Sequence, residues 1–292
     1  MNCCRALGCT TTLAGLTANV PIAHLHGGEL AAGDLDDRIR FSISALAALH
    51  FVATRQARDR LILAGEPADR IAVVGAMAMD EIFEFRQTLR RNPHLKRDFR
   101  NRWNLPLDRP MVVVLHHPCG FGSEREYRTM TNVLRAVRDY SGLVVAPNND
   151  PGHAGTRRAI REFFARPATT RRSGTWRYAD SLAREEFLLA LGAADLLVGN
   201  SSSGILEANP LGTPVVNVGP RQAGRQRNGN AVFDAGNSAG EIQAAVYRTL
   251  EFTRTHNVRP SPAFGTGTAG PAIARTLAEV RIDRELLVKP RA

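Results

Sequence analysis

The stretch Val198-Gly199-Asn200-Ser201-Ser202-Ser203-Gly204-Ile205-Leu206-Glu207 decides how the chain is read. Ala194-Asp195-Leu196-Leu197-Val198 runs into it as a short apolar segment of strand length, and residues 205–209 read as the first turns of a helix stopped by Pro210. The free N–H groups of a first helical turn point outward, and the helix dipole favours negative charge there. Ser201, Ser202 and Ser203 add hydroxyl donors, and Gly204 would let the backbone approach a phosphate closely. Glu207, one turn on, could accept from sugar hydroxyls. The same letters also spell an ordinary serine N-cap, and the pattern alone leaves both readings open.

Outward from this stretch, short apolar runs alternate with amphipathic ones. Residues 21–25, 51–53 and 71–75 read as strands, with helices over 7–18, 37–49, 55–64 and 78–89. A second alternation has strands at 111–116, 143–146, 214–218 and 231–233. Its helices fall at 124–140, 155–165, 183–191, 239–254 and 271–279. Such alternation implies an α/β architecture with parallel sheets. The expected domains are 1–91, a linker rich in charge and proline at 92–110, 111–270, and a C-terminal helix and tail at 271–292.

Composition narrows the function classes. The 292 residues, 43% hydrophobic, suffice for two cores, and no apolar run approaches the roughly 20 residues that span a membrane. Residues 1–7 lack the apolar segment of a signal peptide. Cys3, Cys4, Cys9 and Cys119 form no disulfide framework, so a reducing, cytoplasmic location is expected. The formal charge of +10 raises nucleic acid as a partner. The basic residues are spread along the chain, however. The densest group, Arg157, Arg158, Arg161, Arg166, Arg171, Arg172 and Arg177, has no aromatic ladder and no helix-turn-helix or finger spacing. An anionic small molecule or a solvated basic face accounts for it equally well.

Four further polar groupings carry potential chemistry. His24-Leu25-His26-Gly27-Gly28-Glu29 is followed by Asp34, Asp36, Asp37 and Arg40. His-x-His on a strand puts both imidazoles on one face, but a third metal ligand is not evident, so no metal is expected. His116-His117-Pro118, Pro147-Asn148-Asn149-Asp150 and the 219–225 segment, Gly-Pro-Arg-Gln-Ala-Gly-Arg, are the others. Open α/β sheets keep their ligands beyond the carboxyl ends of strands. Three of these groupings end strands in the same half of the chain as the serine loop, which favours one ligand cleft.

Taken together, these motifs resemble the hydrolysing UDP-N-acetylglucosamine 2-epimerases of sialic acid biosynthesis. The matching text is 22–29, 36–40, 49–54, 74–76, His117-Pro118, 147–150, 198–207 and 219–225, in family order. The resemblance implies a GT-B-like fold of two Rossmann-like domains, the first incomplete, with substrate between them. It implies that UDP-N-acetylglucosamine and water give N-acetylmannosamine and UDP, by elimination of UDP and then addition of water. By carry-over, Ser202, Ser203 and Arg221 hold the diphosphate and Glu207 the ribose, while His117 and Asn148 contact UDP or the sugar. Glu29, Asp36 and His26 serve acid/base and sugar-orienting roles, with no fixed role for His26. No cofactor, no membrane and no nucleic acid are implied, and dimers are common among relatives.

The sequence also departs from the family pattern. Family members open with a strand and a Gly-Thr-Arg loop, and about half a Rossmann domain precedes the HGGE strand. Aligning on Ala6-Leu7 puts Asn2 and Cys3 where a catalytic Asp-Arg pair would fall. The expectation is therefore an N-terminally truncated member with catalysis impaired. The alternatives are a working epimerase, an inactive UDP-sugar-binding remnant, or a glycosyltransferase-like nucleotide-sugar-binding protein.

Overall fold

The computed structural model describes residues 2–30, 35–165 and 174–289; the side chains of 2–7, 35 and 36 lie outside that description. The chain divides into two units. The first comprises Met1–Glu84, Ala223–Arg225 and Pro262–Ala292, and the second Phe85–Gln222 and Gln226–Ser261.

In the first unit, β1 (Ala23–Leu25), β2 (Leu49–Val52) and β3 (Ile71–Val73) form a parallel sheet in that order, with Leu25 opposite Phe51 and Phe51 opposite Ala72. Helices α1 (Asn2–Thr17), α2 (Leu35–Leu46) and α3 (Arg55–Leu63) connect and cover it. Val52, Ala57, Leu61 and Ile71 form its core, with Phe41 of α2 against them. The Thr54 hydroxyl caps α3 by accepting from the N–H of Ala57 at 3.1 Å. The C-terminal segment is tied back onto this unit. Asp80, in α4 (Ala78–Arg91), accepts from the N–H groups of Ala269 and Gly270 at the start of α11 (Ala269–Glu279). Arg70 donates to the carbonyls of Glu285, Leu286 and Val288, and Lys289 pairs with Glu66.

The second unit is built on six strands, all paired in parallel. They are β4 (Met111–Leu115), β5 (Ser141–Val145), β6 (Trp176–Ala179), β7 (Leu196–Gly199), β8 (Val215–Val218) and β9 (Val232–Ala235), in the order β6-β5-β4-β7-β8-β9. Every residue of β4, β5, β7 and β8 is buried, as strands covered on both faces must be, which is why they read as largely apolar runs, interrupted by the buried Ser141 and Asn217. Val112, Val114, Val144, Val198 and Val216 pack with Met130, Val133 and Val137 of α6 (Ser123–Val137) and with Ile242 and Val246 of α10 (Ala239–Thr255). Helices α7 (His153–Ala165), α8 (Arg184–Ala193) and the short α9 (Ser202–Leu206) also belong to this unit.

Three segments differ from the sequence expectation. The helix read over 205–209 is instead α9 at Ser202–Leu206, begun earlier by the Ser201 cap, and Pro210 lies in a separate 3-10 turn at Asn209–Leu211. The charged stretch at 92–110 contains a helix, α5 (His94–Arg102), whose Phe99 is fully buried and whose Arg100 donates to the Ala193 carbonyl. Strand β6 was not expected. It is an edge strand with two buried and two partly or fully exposed residues, so its Trp-Arg-Tyr-Ala lacks an apolar run.

Strand order fixes where the loops meet. The chain proceeds from β4 outward to β6, then returns to β7 on the other side of β4 and continues outward to β9. The reversal lies between β4 and β7, where neighbouring loops diverge. At that point Gly199 faces Leu115 with φ +151°, and a Cβ there would lie 2.0 Å from the Leu115 carbonyl oxygen. Gly199→Ala should therefore force the two strand ends apart. The expected cost is about 3 kcal/mol or more, read as a lower urea midpoint at unchanged m.

Candidate functional site

At the switch point of the second unit, the ends of β4, β5, β7 and β8 supply a closed circuit of polar groups. The fully buried Asn200 accepts from the His117 N–H at 2.7 Å and donates through Nδ2 to the His117 carbonyl at 2.8 Å. The His117 ring accepts at Nδ1 from the Asn148 N–H at 3.1 Å. The Asn148 amide donates to Asp150 at 2.5 Å, and Asp150 lies 3.9 Å from the Arg221 guanidinium. Arg221 donates back to the Asn200 carbonyl at 3.1 Å, and Gln222 donates to the same oxygen at 2.9 Å. Residues from four strand ends thus hold one another, and 90% of the Arg221 side chain is removed from solvent.

Because His117 accepts at Nδ1, its proton sits on Nε2, which leaves a donor for a ligand. Burial, reinforced by the charge of Arg221, pushes its pKa down to about 3. Burial likewise lowers His116 to about 3, with His117 and Arg221 adding to the effect. Both imidazoles are neutral at pH 7, so Arg221 is the cation of this circuit.

The serine loop resolves into distinct duties. Ser201 is the N-cap of α9; its hydroxyl accepts from the Ser203 N–H at 3.3 Å and from the Ser203 hydroxyl at 2.9 Å. The cap reading therefore holds for Ser201, whose hydroxyl takes both Ser203 donors. Ser202 is half-buried, and its hydroxyl has no partner among the described residues. Gly204 is explained by packing: a Cβ there would lie 3.1 Å from Val215 and 3.2 Å from Leu197. Both Glu207 oxygens accept from Arg184, at 3.2 and 3.1 Å.

In the first unit the HGGE loop forms a second cluster. His26 adopts the left-handed region at φ +62°, and its Nδ1 lies 3.1 Å from Glu29 Oε1. The other Glu29 oxygen accepts from Arg225 at 2.9 Å. Arg40 donates to the Glu29 carbonyl at 2.9 Å and to Asp37 at 3.0 Å. Gly28, at φ +74°, is required by close packing, since a Cβ would lie 2.2 Å from the Ala57 carbonyl oxygen. Burial alone would raise the Glu29 carboxyl. The hydrogen bond from His26 and the charge of Arg225 outweigh it and hold the pKa at about 2, so Glu29 is ionised. His24 bonds to Ser44 at 2.9 Å, and burial lowers its pKa to about 4, with His50, Arg40 and His26 contributing.

Asp36 falls in the first turn of α2, with its side chain outside the described residues, and Asp34 also lies outside them, as do Arg166, Arg171 and Arg172. The structure thus gathers His117, Asn148, the serine loop and Arg221 in one unit, and His26 and Glu29 in the other. Asn200, Gln222, Asp150 and Arg225 were not singled out as site residues. Each lies inside a polar stretch that was, so position in the motif was the available signal. Arg184, on α8, carried none. Among the described residues, no group of three His, Cys, Asp or Glu could hold a metal ion, and no helix is long and apolar enough to cross a membrane.

Comparison with known proteins agrees with this architecture. Residues 7–278 match the profile of the family described as UDP-N-acetylglucosamine 2-epimerase. The hydrolysing UDP-N,N'-diacetylbacillosamine 2-epimerase of Legionella pneumophila is 30% identical over 279 residues, which is 95% of this chain and 69% of that one. The hydrolysing GDP/UDP-N,N'-diacetylbacillosamine 2-epimerase of Campylobacter jejuni is 29% identical over 74% of this chain, and the match spans about half, 54%, of that relative's length. The crystal structure of the Neisseria meningitidis UDP-GlcNAc 2-epimerase bound to UDP-GlcNAc superposes with a TM-score of 0.75 at 17% identity. That superposition covers 93% of this chain and 73% of that chain, and supports the GT-B fold class.

The neutral histidines give a testable pH dependence. Unfolded imidazoles titrate near 6.5, whereas His24 titrates near 4 and His116 and His117 near 3 in the folded chain. Between these values the unfolded state binds more protons, so stability falls as pH drops below about 6.5. Each imidazole should contribute on the order of 1 kcal/mol per pH unit. Thermal unfolding should show a lower Tm at pH 5 than at pH 7, and His117→Asn should make that decline shallower.

Proposed function

The chain belongs to the UDP-N-acetylglucosamine 2-epimerase family, and on that premise we propose that it is a hydrolysing 2-epimerase of a UDP-linked N-acetylhexosamine. The reaction converts UDP-N-acetylglucosamine and water to N-acetylmannosamine and UDP. The observation that carries this reading is the polar circuit at the switch point, with one buried guanidinium, a neutral imidazole donor and an open serine hydroxyl.

In the second unit, Arg221 and Ser202 bind the diphosphate, with the serine loop's Ser201, Ser203 and Gly204 fixing Ser202 in place. The Nε2–H of His117 donates to a phosphate or sugar oxygen, and Asn148 lies beside it. Loss of UDP builds charge on the leaving diphosphate, which a fixed guanidinium and N–H donors stabilise. Glu207 orients the ribose, with Arg184 holding its carboxylate. In the first unit, Glu29 enters the reaction as a carboxylate, so it accepts a proton before it donates one. His26, hydrogen-bonded to it, passes or holds that proton, and Asp36 completes the acid/base set. Relief of the Arg225 pairing would raise the Glu29 pKa and ease the return step.

A second reading concerns the sugar. The relative aligned over 95% of this chain is a bacillosamine epimerase, which favours a 2,4-diacetamido sugar on UDP as an alternative substrate. Activity in the cytoplasm and a homodimeric assembly complete the proposal. Size-exclusion chromatography with light scattering tests the latter.

Incubation of the purified chain with each UDP-sugar, following UDP and free N-acetylhexosamine together, tests the reaction. Both products should appear in equal amounts. Arg221→Ala should weaken UDP binding by about tenfold to a hundredfold, as expected for a charge-assisted contact. Glu29→Gln should retain UDP binding and lose about a hundredfold or more in turnover. UDP binding without release of either sugar would favour a binding protein over an enzyme.

A further inference from the structure

We infer that Asn200 is a positioning residue of the proposed nucleotide site, acting through both of its polar faces: the carboxamide sets His117 and the main-chain carbonyl sets Arg221. The inference rests on the UDP-binding reading above. Asn200 lies between two constrained neighbours, Gly199 at φ +151° and Ser201, the N-cap of α9. Its backbone is therefore held from both sides. Its side chain has no exposure to solvent and pairs with both polar groups of one residue, the N–H and the C=O of His117. Only one orientation of the amide satisfies both contacts, with oxygen toward the N–H and nitrogen toward the carbonyl. The same nitrogen lies 3.4 Å from Cys119 Sγ.

The Asn200 main-chain carbonyl accepts from Arg221 and from Gln222. Two donors on one buried oxygen fix the guanidinium against the loop after β7 and limit its freedom to follow Asp150. Neither Asn200 group needs to touch the ligand. Their effect is on the direction of the His117 Nε2–H and on where the Arg221 charge is held. Preorganisation of this kind lowers the cost of ordering the site when a diphosphate arrives. An aspartate at this position keeps the shape but loses the donor. A carboxylate oxygen would then face the His117 carbonyl oxygen, and a new negative charge would compete for Arg221.

The test uses Asn200→Asp and Asn200→Ser in the full chain, with 15N-histidine NMR before nucleotide is added and UDP titration by calorimetry after. In a folded variant, the His117 ring nitrogens should shift, because Nδ1 no longer meets the Asn148 N–H in the same place. UDP affinity should fall by about tenfold, and the loss should be non-additive with that of His117→Ala. In the uniformly 15N-labelled wild-type chain, which needs no substitution, the Asn200 carboxamide signal should move with the His117 ring as UDP is titrated. A folded variant with unchanged His117 signals and unchanged UDP affinity would overturn the inference. So would strictly multiplicative losses, or a silent Asn200 signal while His117 responds. A wild-type chain that does not bind UDP would instead overturn the reading of the site, and the inference with it.

Discussion

The close approach of β7 to β4 at their carboxyl ends is the constraint on which the second unit depends. Leu115 and Gly199 are paired with no room for a side chain between the Gly199 backbone and the Leu115 carbonyl. That contact brings His117 within reach of Asn200, since each follows its strand by one or two residues. It also occurs where the order of strands reverses, so the loops beyond it diverge. A β4–β7 pairing shifted by one residue would exchange the two buried faces of the strand and separate the Asn200 amide from the His117 backbone.

Charge is distributed differently in the two units. Around His116 and His117 the environment is dry enough that imidazoles stay neutral, and a single guanidinium, balanced by Asp150, supplies the positive field. Around Glu29 the carboxylate is also buried but paired with Arg225 and hydrogen-bonded to His26, so burial fails to neutralise it. The first arrangement suits fixed recognition of an anion. The second suits a group whose proton affinity changes when a partner moves away. The two environments match the different duties proposed for them, binding and proton transfer.

Much of this was legible from the residues. The apolar runs of β4, β5, β7 and β8 identified buried parallel strands because both of their faces are covered, and the motifs at their ends marked loops whose polar groups meet at the switch point. Strand β6 carries no legible strand pattern because an edge strand needs only partial burial, and α5 no legible helical face because charge surrounds its single buried Phe99. The serine run suggested three equivalent donors. The fold separates them, since a cap must consume a hydroxyl and Ser201 is placed to provide it.

The sequence by itself determined most of the local elements, the α/β class and the family, because hydrophobic period, glycine positions and polar strand ends are properties of neighbouring residues. Only the tertiary structure decided which polar groups meet. Asn200 and His117 are 83 positions apart, and Arg225 and Glu29 are separated by 196. Their pairing depends on strand order and loop path, which no local pattern encodes. The protonation states follow from the same long-range packing, because burial and a distant partner's charge shift a carboxyl or an imidazole far more than its sequence neighbours do.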